Sequence, residues 1–254
     1  MATYVIADIH GKYDMFSALL EKIALRDEDV LYILGDIIDR GPDPIGTMRR
    51  IMEMPNAICI KGNHEAMALD CLEFLVQEIT DESLPSLNED MLSKVLHWQI
   101  NGSSTTLEGF RKLSREEQQT IIVFMKNMLA YKRLTVAGKE YLLVHGGLGG
   151  FDPEKPLEEY SLHDLVWERP DYSKPYYNDI YVVTGHTPTQ MIDINPKPGY
   201  IFKSNHHIAI DCGSYRPDGR LAAIRLEDEK EFYSDNNHWT IPADAAANGG
   251  SGDC

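Results

Sequence analysis

Short apolar runs alternate with helical patterns through the first sixty residues of the chain. Runs rich in Val, Ile, Leu and Tyr predict buried strands at 3–7, 30–34 and 57–60. Apolar residues at helical spacing between them predict helices at about 13–26 and 43–54. This strand–helix–strand–helix–strand order is typical of an α/β sheet.

The pattern changes to a mainly helical one at about residue 66 and stays so to about 134. Helical spacing covers 66–79 and 88–100, and a capping box, Ser114 to Glu117, precedes a third helix over 121–129. The stretch 101–106 is polar and predicts a turn. We expect a helical insertion over about 66–134 that lies beside a functional site as a cap. The alternative is that these helices only pack against the core.

The last part of the chain returns to strand patterns. Strands are predicted at 134–137, 140–144, 180–183, 207–211 and 221–226, with a short helix near 161–166. Gly138–Lys139 and Pro217–Gly219 are interpreted as hairpin turns. The whole predicts one α/β (α+β) domain over 1–242, followed by a small, Gly-rich tail over 243–254 that we expect to be disordered.

Composition narrows the class of protein and its partners. The 254 residues carry 40 Asp and Glu against 24 Lys and Arg, which gives a net charge of −16. Such a surface repels nucleic-acid backbones, so no nucleic-acid partner is expected. The four cysteines lack metal-binding spacing, no apolar run approaches the roughly 20 residues of a membrane span, and no signal-peptide pattern precedes the first strand. We therefore expect a cytoplasmic protein with no membrane partner.

Side chains that bind metals or phosphates follow the predicted strands directly. The motifs that they form are Asp8-Ile-His10, Gly35-Asp-Ile-Ile-Asp-Arg-Gly41, Gly62-Asn-His-Glu65, His145-Gly-Gly147 and Gly185-His186. Ligand sites of α/β sheets lie at the carboxyl ends of strands, so the motifs are expected to meet. Oxygen and nitrogen donors without a thiolate suit a pair of divalent cations.

A hydrolase that uses two metals needs a ligand shared by both ions and terminal ligands for each. Asp36 is the expected bridge, because its carboxylate has two oxygens. The predicted ligand set for the two sites is Asp8, His10 and Asp36, and Asp36, Asn63, His145 and His186. Metals lower the pKa of bound water, so a metal-bridging hydroxide is the expected nucleophile.

Three further residues of the motifs suit acid catalysis and phosphate binding. His64 is expected to protonate the leaving oxygen with Asp39 orienting its ring, and Arg40 offers a planar fork for phosphate oxygens. Glu65 is interpreted as supporting the start of a helix through its charge. The stretch from Trp98 to Thr106 is either a structural turn or a contact with substrate.

The five motifs, in this order, resemble those of the phosphoprotein phosphatases of the calcineurin-like metallophosphoesterase superfamily, in their bacterial and phage form. The resemblance implies a β-sandwich of two mixed sheets flanked by helices, and the metal ligands given above. It also implies an acid pair of Asp39 and His64, with Arg40 as a phosphate clamp. Arg169, after the stretch Leu165-Val-Trp-Glu, matches the family's second clamp. The implied cofactors are two divalent ions, with Mn²⁺ favoured and Fe or Zn as alternatives.

Two substrate classes remain open within that superfamily. The first hypothesis is hydrolysis of phosphomonoesters, phosphoserine or phosphothreonine (and phosphotyrosine) in proteins or a small phosphoester. The alternative is a symmetrical bis(5′-nucleosyl)-tetraphosphate hydrolase, whose members usually lack the counterpart of Asp39 and carry Asp at the position of Glu65. The chain therefore favours the phosphatase. A nuclease would carry a second His where Pro188 stands, and a binding protein without turnover would lack a ligand.

Overall fold

The computed structural model describes residues 1–76 and 88–234. Within them the chain forms ten β-strands: β1 (Thr3–Ile6), β2 (Val30–Leu34), β3 (Ala57–Ile60), β4 (Tyr131–Val136), β5 (Lys139–Val144), β6 (Ile180–Thr184), β7 (Phe202–Ser204), β8 (His207–Ala209), β9 (Ala222–Arg225) and β10 (Lys230–Tyr233). The same ranges contain seven α-helices: α1 (Tyr13–Ile23), α2 (Pro44–Met52), α3 (Asn63–Leu75), α4 (Glu89–Ile100), α5 (Ser104–Arg111), α6 (Arg115–Lys126) and α7 (Leu162–Val166).

The strands form two mixed sheets of five strands each. The first has the order β10-β9-β1-β2-β3, with β1, β2 and β3 parallel and β9 and β10 antiparallel to their neighbours. The second has the order β4-β5-β6-β8-β7, with β5, β6 and β8 parallel and the outer strands antiparallel. The prediction of two mixed sheets flanked by helices is confirmed.

The two sheets share one apolar layer. It joins Val5 and Tyr32 of the first sheet to Tyr141 and Val183 of the second. Ile6, on the opposite face of β1, packs instead among the helices. Strands buried on both faces explain the continuous apolar runs of the sequence. Because β1, β2, β3, β5 and β6 end at the same side of the molecule, the motifs that follow them meet there.

Most helix signals in the sequence mark real helix ends. Asp43 caps α2, and its side chain accepts from the Gly46 backbone N–H at 2.8 Å. The capping box of Ser114 and Glu117 begins α6. Ala137 and Gly138, with φ of 50° and 79°, form the hairpin turn between β4 and β5. Positive φ at both central positions is what a tight hairpin needs.

Two local predictions are wrong at least in part, and two strands lack a prediction. The polar stretch that predicted a turn over 101–106 becomes helix from Ser104, because α5 packs Phe110 into the core. Pro217–Gly219 is not in a hairpin turn, since it leads from β8 to β9, which lie in different sheets. Strands β7 and β10 carry no clear sequence pattern and were not predicted. The predicted tail over 243–254 and the end of the helix over 66–79 lie outside the described residues.

The helical insertion is part of the main core. Its buried side chains join the cluster that covers the outer face of the first sheet: Trp98, Phe110, Ile121, Ile122 and Met125. The helices thus pack against the core, and the role of the insertion as a cap beside the site remains a prediction. No helix in residues 1–76 and 88–234 is long and apolar enough to cross a membrane.

Candidate active site

The polar motifs place strained backbone at one edge of the two sheets. Six non-glycine residues have positive φ there: Asp8 (53°), His10 (49°), Asp36 (52°), Asp39 (68°), Arg40 (65°) and His186 (62°). Such a conformation costs about 1–2 kcal/mol for a residue with a Cβ. Strain of this kind collects at functional sites, where surrounding contacts hold it in place.

The loops after β1 and β2 support one another. His10 N–H donates to the Asp36 carbonyl and Gly11 N–H to the Ile37 carbonyl, each at 2.8 Å. Glu65 lies beneath the second loop, fully buried, and accepts from the N–H groups of Asp36 and Ile37 at 2.8 Å. It also accepts from Gly62 N–H at 3.0 Å. Glu65 thus does more than support a helix start, because it fixes the loop that carries Asp36.

Two groups of possible metal ligands share Asp36. One contains His10, Asp36 and His64, and the other contains Asp36, His145 and His186, with ligand atoms within 4.8 Å of one another in each group. The Asn63 side-chain oxygen lies 2.9 Å from Nε2 of His145 and 3.0 Å from Nδ1 of His186, so it belongs to the second group. The shared position of Asp36 is what a bridging role requires.

Asp8 lies beside these groups and belongs to neither of them. Its carboxylate accepts the backbone N–H of His186 at 3.0 and 3.1 Å. Burial, with the nearby Asp211 and Asp36 carboxylates, raises the pKa of Asp8 well above its usual range. Clustered, desolvated carboxylates of this kind are stabilised by a bound cation. The role of Asp8 as a ligand remains a prediction.

Backbone carbonyls orient two of the four imidazoles, and burial lowers the pKa of all four, which favours their neutral form. His10 Nδ1 lies 3.1 Å from the Ile38 carbonyl and His145 Nδ1 lies 2.5 Å from that of Leu34, so each leaves Nε2 to act as a ligand. Burial, followed by the charge of Arg40, lowers the pKa of His10 and His64. The buried Nε2 atoms of His64 and His186 have no hydrogen-bond partner. Neutral rings with free nitrogens around a shared carboxylate fit two divalent cations.

Asp39 and His64 form a buried pair. Asp39 Oδ2 lies 2.6 Å from His64 Nδ1 and also accepts from Trp98 Nε1 at 2.7 Å. Its other oxygen, Oδ1, accepts from the Thr106 hydroxyl at 2.5 Å. Burial raises the pKa of Asp39 to about 7, although the Thr106 and Trp98 hydrogen bonds and Arg40 oppose that rise. The sequence left a structural turn and a contact with substrate open for Trp98 and Thr106, and neither alternative includes their hydrogen bonds to Asp39.

The two predicted phosphate clamps differ in their surroundings. Arg40 Nη1 lies 3.0 Å from His10 Nε2, and its guanidinium carbon lies 4.2 Å from the centre of the Tyr215 ring. Arg169 is exposed and lines a cavity of about 300 Å³ together with Thr187, the residue after His186. Arg40 thus contacts a predicted metal ligand directly, Arg169 lies at the rim, and the roles of both as phosphate clamps remain predictions.

A sandwich of two mixed sheets with His and Asp clusters at its strand ends defines a metallophosphoesterase, a class of hydrolase that uses divalent metals. The chain belongs to the calcineurin-like phosphoesterases, and the model of that family matches residues 1–223. The narrower resemblance to the phosphoprotein phosphatases remains a prediction.

Curated relatives cover a limited part of the chain. A protein of Cellvibrio japonicus is 35% identical over 101 residues, which are 39% of this chain and 37% of the relative. One of Baumannia cicadellinicola is 33% identical over 101 residues, 39% of this chain and 35% of the relative. Both are named symmetrical bis(5′-nucleosyl)-tetraphosphatases. These matches span little more than a third of the relatives' length.

Solved structures match nearly the whole chain at low identity. A protein provisionally described as a diadenosine tetraphosphatase superposes with a TM-score of 0.61 at 17% identity, over 94% of this chain and 95% of the other. A serine/threonine phosphatase of Saccharomyces cerevisiae gives 0.57 at 14% identity, over 96% and 82%. A cold-active protein tyrosine phosphatase gives 0.54 at 16% identity, over 91% and 78%. Such identities establish a common fold.

Proposed function

We propose that the protein hydrolyses dinucleoside tetraphosphates at the central anhydride, releasing two nucleoside diphosphates. The observation that carries this proposal is the 33–35% identity with curated symmetrical bis(5′-nucleosyl)-tetraphosphatases. The solved structures of both kinds share only 14–17% of their residues with this chain, so they favour neither substrate class. This order of the two substrate classes reverses the one that the sequence motifs favoured.

The site offers what a polyphosphate chain needs. Arg40 and Arg169 bind phosphate oxygens, and an arginine fork can hold two oxygens at once. Tyr215 and Trp167 provide aromatic faces close to the ligands His10 and His186, at 5.2 and 5.9 Å between ring centres. Aromatic faces of this kind stack against bases. The negative surface repels the substrate, and salt screens that repulsion.

The metal ligands have one function in the reaction. His10, Asp36, Asn63, His145 and His186 would hold the two divalent cations, with Asp8 beside them, and the cations when bound supply Lewis acidity and a more acidic water. The protein's own groups do the rest. Arg40 orients the phosphate under attack. For the leaving step the Asp39–His64 pair carries two protons, one between Asp39 Oδ2 and His64 Nδ1 and one on Nε2, and His64 passes the Nε2 proton to the leaving oxygen as the P–O bond breaks. Asp39 holds the ring through Nδ1.

A second candidate is the hydrolysis of phosphomonoesters in proteins, and the Asp39–His64 pair favours it. A seryl or threonyl alkoxide is a strong base, and its departure depends on a proton donor. A nucleoside diphosphate leaves as a much weaker base and depends less on one. A buried acid pair with a 2.6 Å contact is therefore of most use to a monoesterase.

The two candidates are separated by assaying the Mn²⁺-loaded protein on diadenosine tetraphosphate and on a phosphoserine peptide. The first proposal expects kcat/KM at least about tenfold higher on the tetraphosphate, a gap of about 1.4 kcal/mol. It also expects nucleoside diphosphate as the only nucleotide product. A tenfold preference for the peptide, or the release of a triphosphate and a monophosphate, would overturn it. Exhaustive removal of metal should abolish both activities.

A further inference from the structure

Asp39 and Arg40 are held by the turn between α4 and α5. Both residues have positive φ. The backbone N–H of Arg40 donates to the Gly102 carbonyl in that turn at 2.9 Å, and the backbone N–H of Asp39 donates to the Thr106 hydroxyl in the first turn of α5 at 3.0 Å. Two consecutive left-handed residues with side chains cost about 2–4 kcal/mol together. The contacts that offset this cost come from residues more than sixty positions later in the chain.

The Asp39 side chain is held by the same segment. Trp98 donates to Oδ2 and Thr106 donates to Oδ1, while His64 shares Oδ2. All four side chains are buried, with at most 1% of their surface exposed. A hydroxyl has one proton and two lone pairs, and Thr106 uses its proton and one lone pair on Asp39 alone. Without the insertion, only the hydrogen bond with His64 would fix the orientation of the Asp39 carboxylate among these contacts.

We propose that Trp98 and Thr106 are positioning residues of the acid pair. By fixing both oxygens and the backbone of Asp39, they direct Oδ2 at His64 Nδ1 and so place His64 Nε2 beside the bridging Asp36, 3.8 Å from its Oδ2. The helical insertion is then a component of the catalytic apparatus. The inference rests on the proposed function only in requiring phosphoester hydrolysis, and it holds for either substrate class.

The competing view is that Trp98 only fills the core. It is fully buried in the same cluster as Phe110. The two views differ in one measurable respect, the dependence of rate on the leaving group. A positioning defect in an acid slows the loss of a basic alkoxide more than that of a nitrophenolate. A packing defect slows both alike.

The decisive variants remove a donor and keep the shape. Trp98→Phe deletes the indole N–H, Thr106→Val deletes the hydroxyl, and Thr106→Ser restores it. Thr105→Val is the matched control, because the neighbouring Thr105 hydroxyl is buried without a partner. Phe110→Leu controls for lost packing. Each is assayed with Mn²⁺ on nitrophenyl phosphate and on an alkyl phosphate such as O-phosphoserine.

We expect Trp98→Phe and Thr106→Val to lower kcat on the alkyl ester about tenfold or more and on the nitrophenyl ester less than about threefold. Thr106→Ser and Thr105→Val should behave like the parent protein, and Phe110→Leu should lower Tm without changing the ratio of the two rates. Equal losses on both esters in the two donor variants would overturn the proposal, as would unchanged rates. Because these are model esters, failure of the tetraphosphate assay leaves this test intact.

A second measurement does not depend on activity. The Trp98 indole N–H should give a downfield proton resonance in the ¹⁵N-labelled protein, identified by its loss in Trp98→Phe. Asp39→Asn weakens the acceptor, so the resonance should move upfield, and Thr105→Val should leave it in place. An indole resonance that Asp39→Asn does not shift would contradict the hydrogen bond on which the inference rests. If Trp98→Phe fails to fold, Thr106→Val on the two esters still decides.

Discussion

The strand-end loops and the helical insertion contribute to the site in different ways. The loops after β1, β2, β3, β5 and β6 carry the predicted metal ligands within four residues of a strand end, so the fold brings them together. The insertion contributes two donors, Trp98 of α4 and Thr106 of α5, to the Asp39 carboxylate. It also accepts the backbone N–H groups of Asp39 and Arg40 through the Thr106 hydroxyl and the Gly102 carbonyl. The positions of the predicted metal ligands therefore follow from the two sheets. The orientation of His64, through Asp39, depends on the helical insertion under the inference above.

The largest effect is expected for a substitution of Asp36, the residue that both groups of possible metal ligands share. Asp36→Asn removes the shared charge between the two groups of ligands, so both sites should lose metal. We expect kcat/KM to fall about a thousandfold, or about 4 kcal/mol of transition-state stabilisation. Metal analysis of the purified variant and steady-state kinetics measure the two effects.

Asp43→Asn is the matched control for Asp36→Asn. Asp43 lies a few residues further along the same loop and caps α2 through its side chain, a role that Asn fills equally well. It should keep two metals and near-parental kinetics. Normal binding of two metals by Asp36→Asn would contradict the bridging role and, with it, the view that the sheet alone assembles the metal ligands.

The next effect concerns the acid pair, where the two regions meet. Asp39→Asn and His64→Asn should each slow an alkyl phosphate about a hundredfold, and a nitrophenyl ester much less. Because the two residues act as one unit, the double variant should cost little more than His64→Asn alone. Rates on both esters for the four proteins test this. Multiplicative losses in the double variant would show that Asp39 acts independently of His64.

The sequence allowed the predicted metal ligands at the strand ends to be named, but not the contacts that the insertion makes with Asp39. The reason is physical. A ligand such as His145 follows an apolar run directly, so its place at the sheet edge can be inferred from neighbouring residues. Trp98 touches Asp39 across 59 positions, and nothing in the local sequence encodes that contact. Thr106 was assigned to a turn because its neighbours are polar. The role of Glu65 goes beyond the predicted support of a helix start, since three of its four backbone donors lie in the loop after β2, far away in the sequence.

A smaller effect is expected where the insertion touches Arg40. Gly102 has φ of +98°, and a Cβ there would lie 2.9 Å from Arg40 Cγ. Gly102→Ala should therefore displace the guanidinium and raise KM for the phosphoester about three- to tenfold, with a smaller change in kcat. Steady-state kinetics at saturating Mn²⁺ measure both constants.

Gly138→Ala is the matched control for Gly102→Ala. Gly138 also has positive φ, +79°, but nothing lies within 4 Å of the position that its Cβ would take. It should lower stability by about 1 kcal/mol through backbone strain and leave KM unchanged. If both glycine variants raised KM equally, the effect would come from general destabilisation, and the turn between α4 and α5 would have no special role in holding Arg40.

The smallest effect is expected at the opposite ends of the strands, where charge contributes to stability alone. Asp29, just before β2, is buried and accepts from Ala2 N–H at 2.6 Å and from Arg26. The Arg26 hydrogen bond lowers the pKa of Asp29 to about 2. A depressed pKa in the folded state adds stability above the unfolded value of about 4, and that stability is lost as the pH falls through about 2.

Asp29→Asn should therefore cost about 1–2 kcal/mol of unfolding free energy at pH 7, because Asn can replace only part of the hydrogen bonding. The difference from the parent protein should shrink as the pH is lowered from 5 towards 2, while kcat/KM at pH 7 stays the same. Urea titrations at several pH values measure the first effect, and kinetics measure the second. If the difference in unfolding free energy did not vary with pH, the charge of Asp29 would not be the cause of the stabilisation. A fall in kcat/KM at pH 7 would show that Asp29, before β2, also affects the active site at the opposite end of the strands.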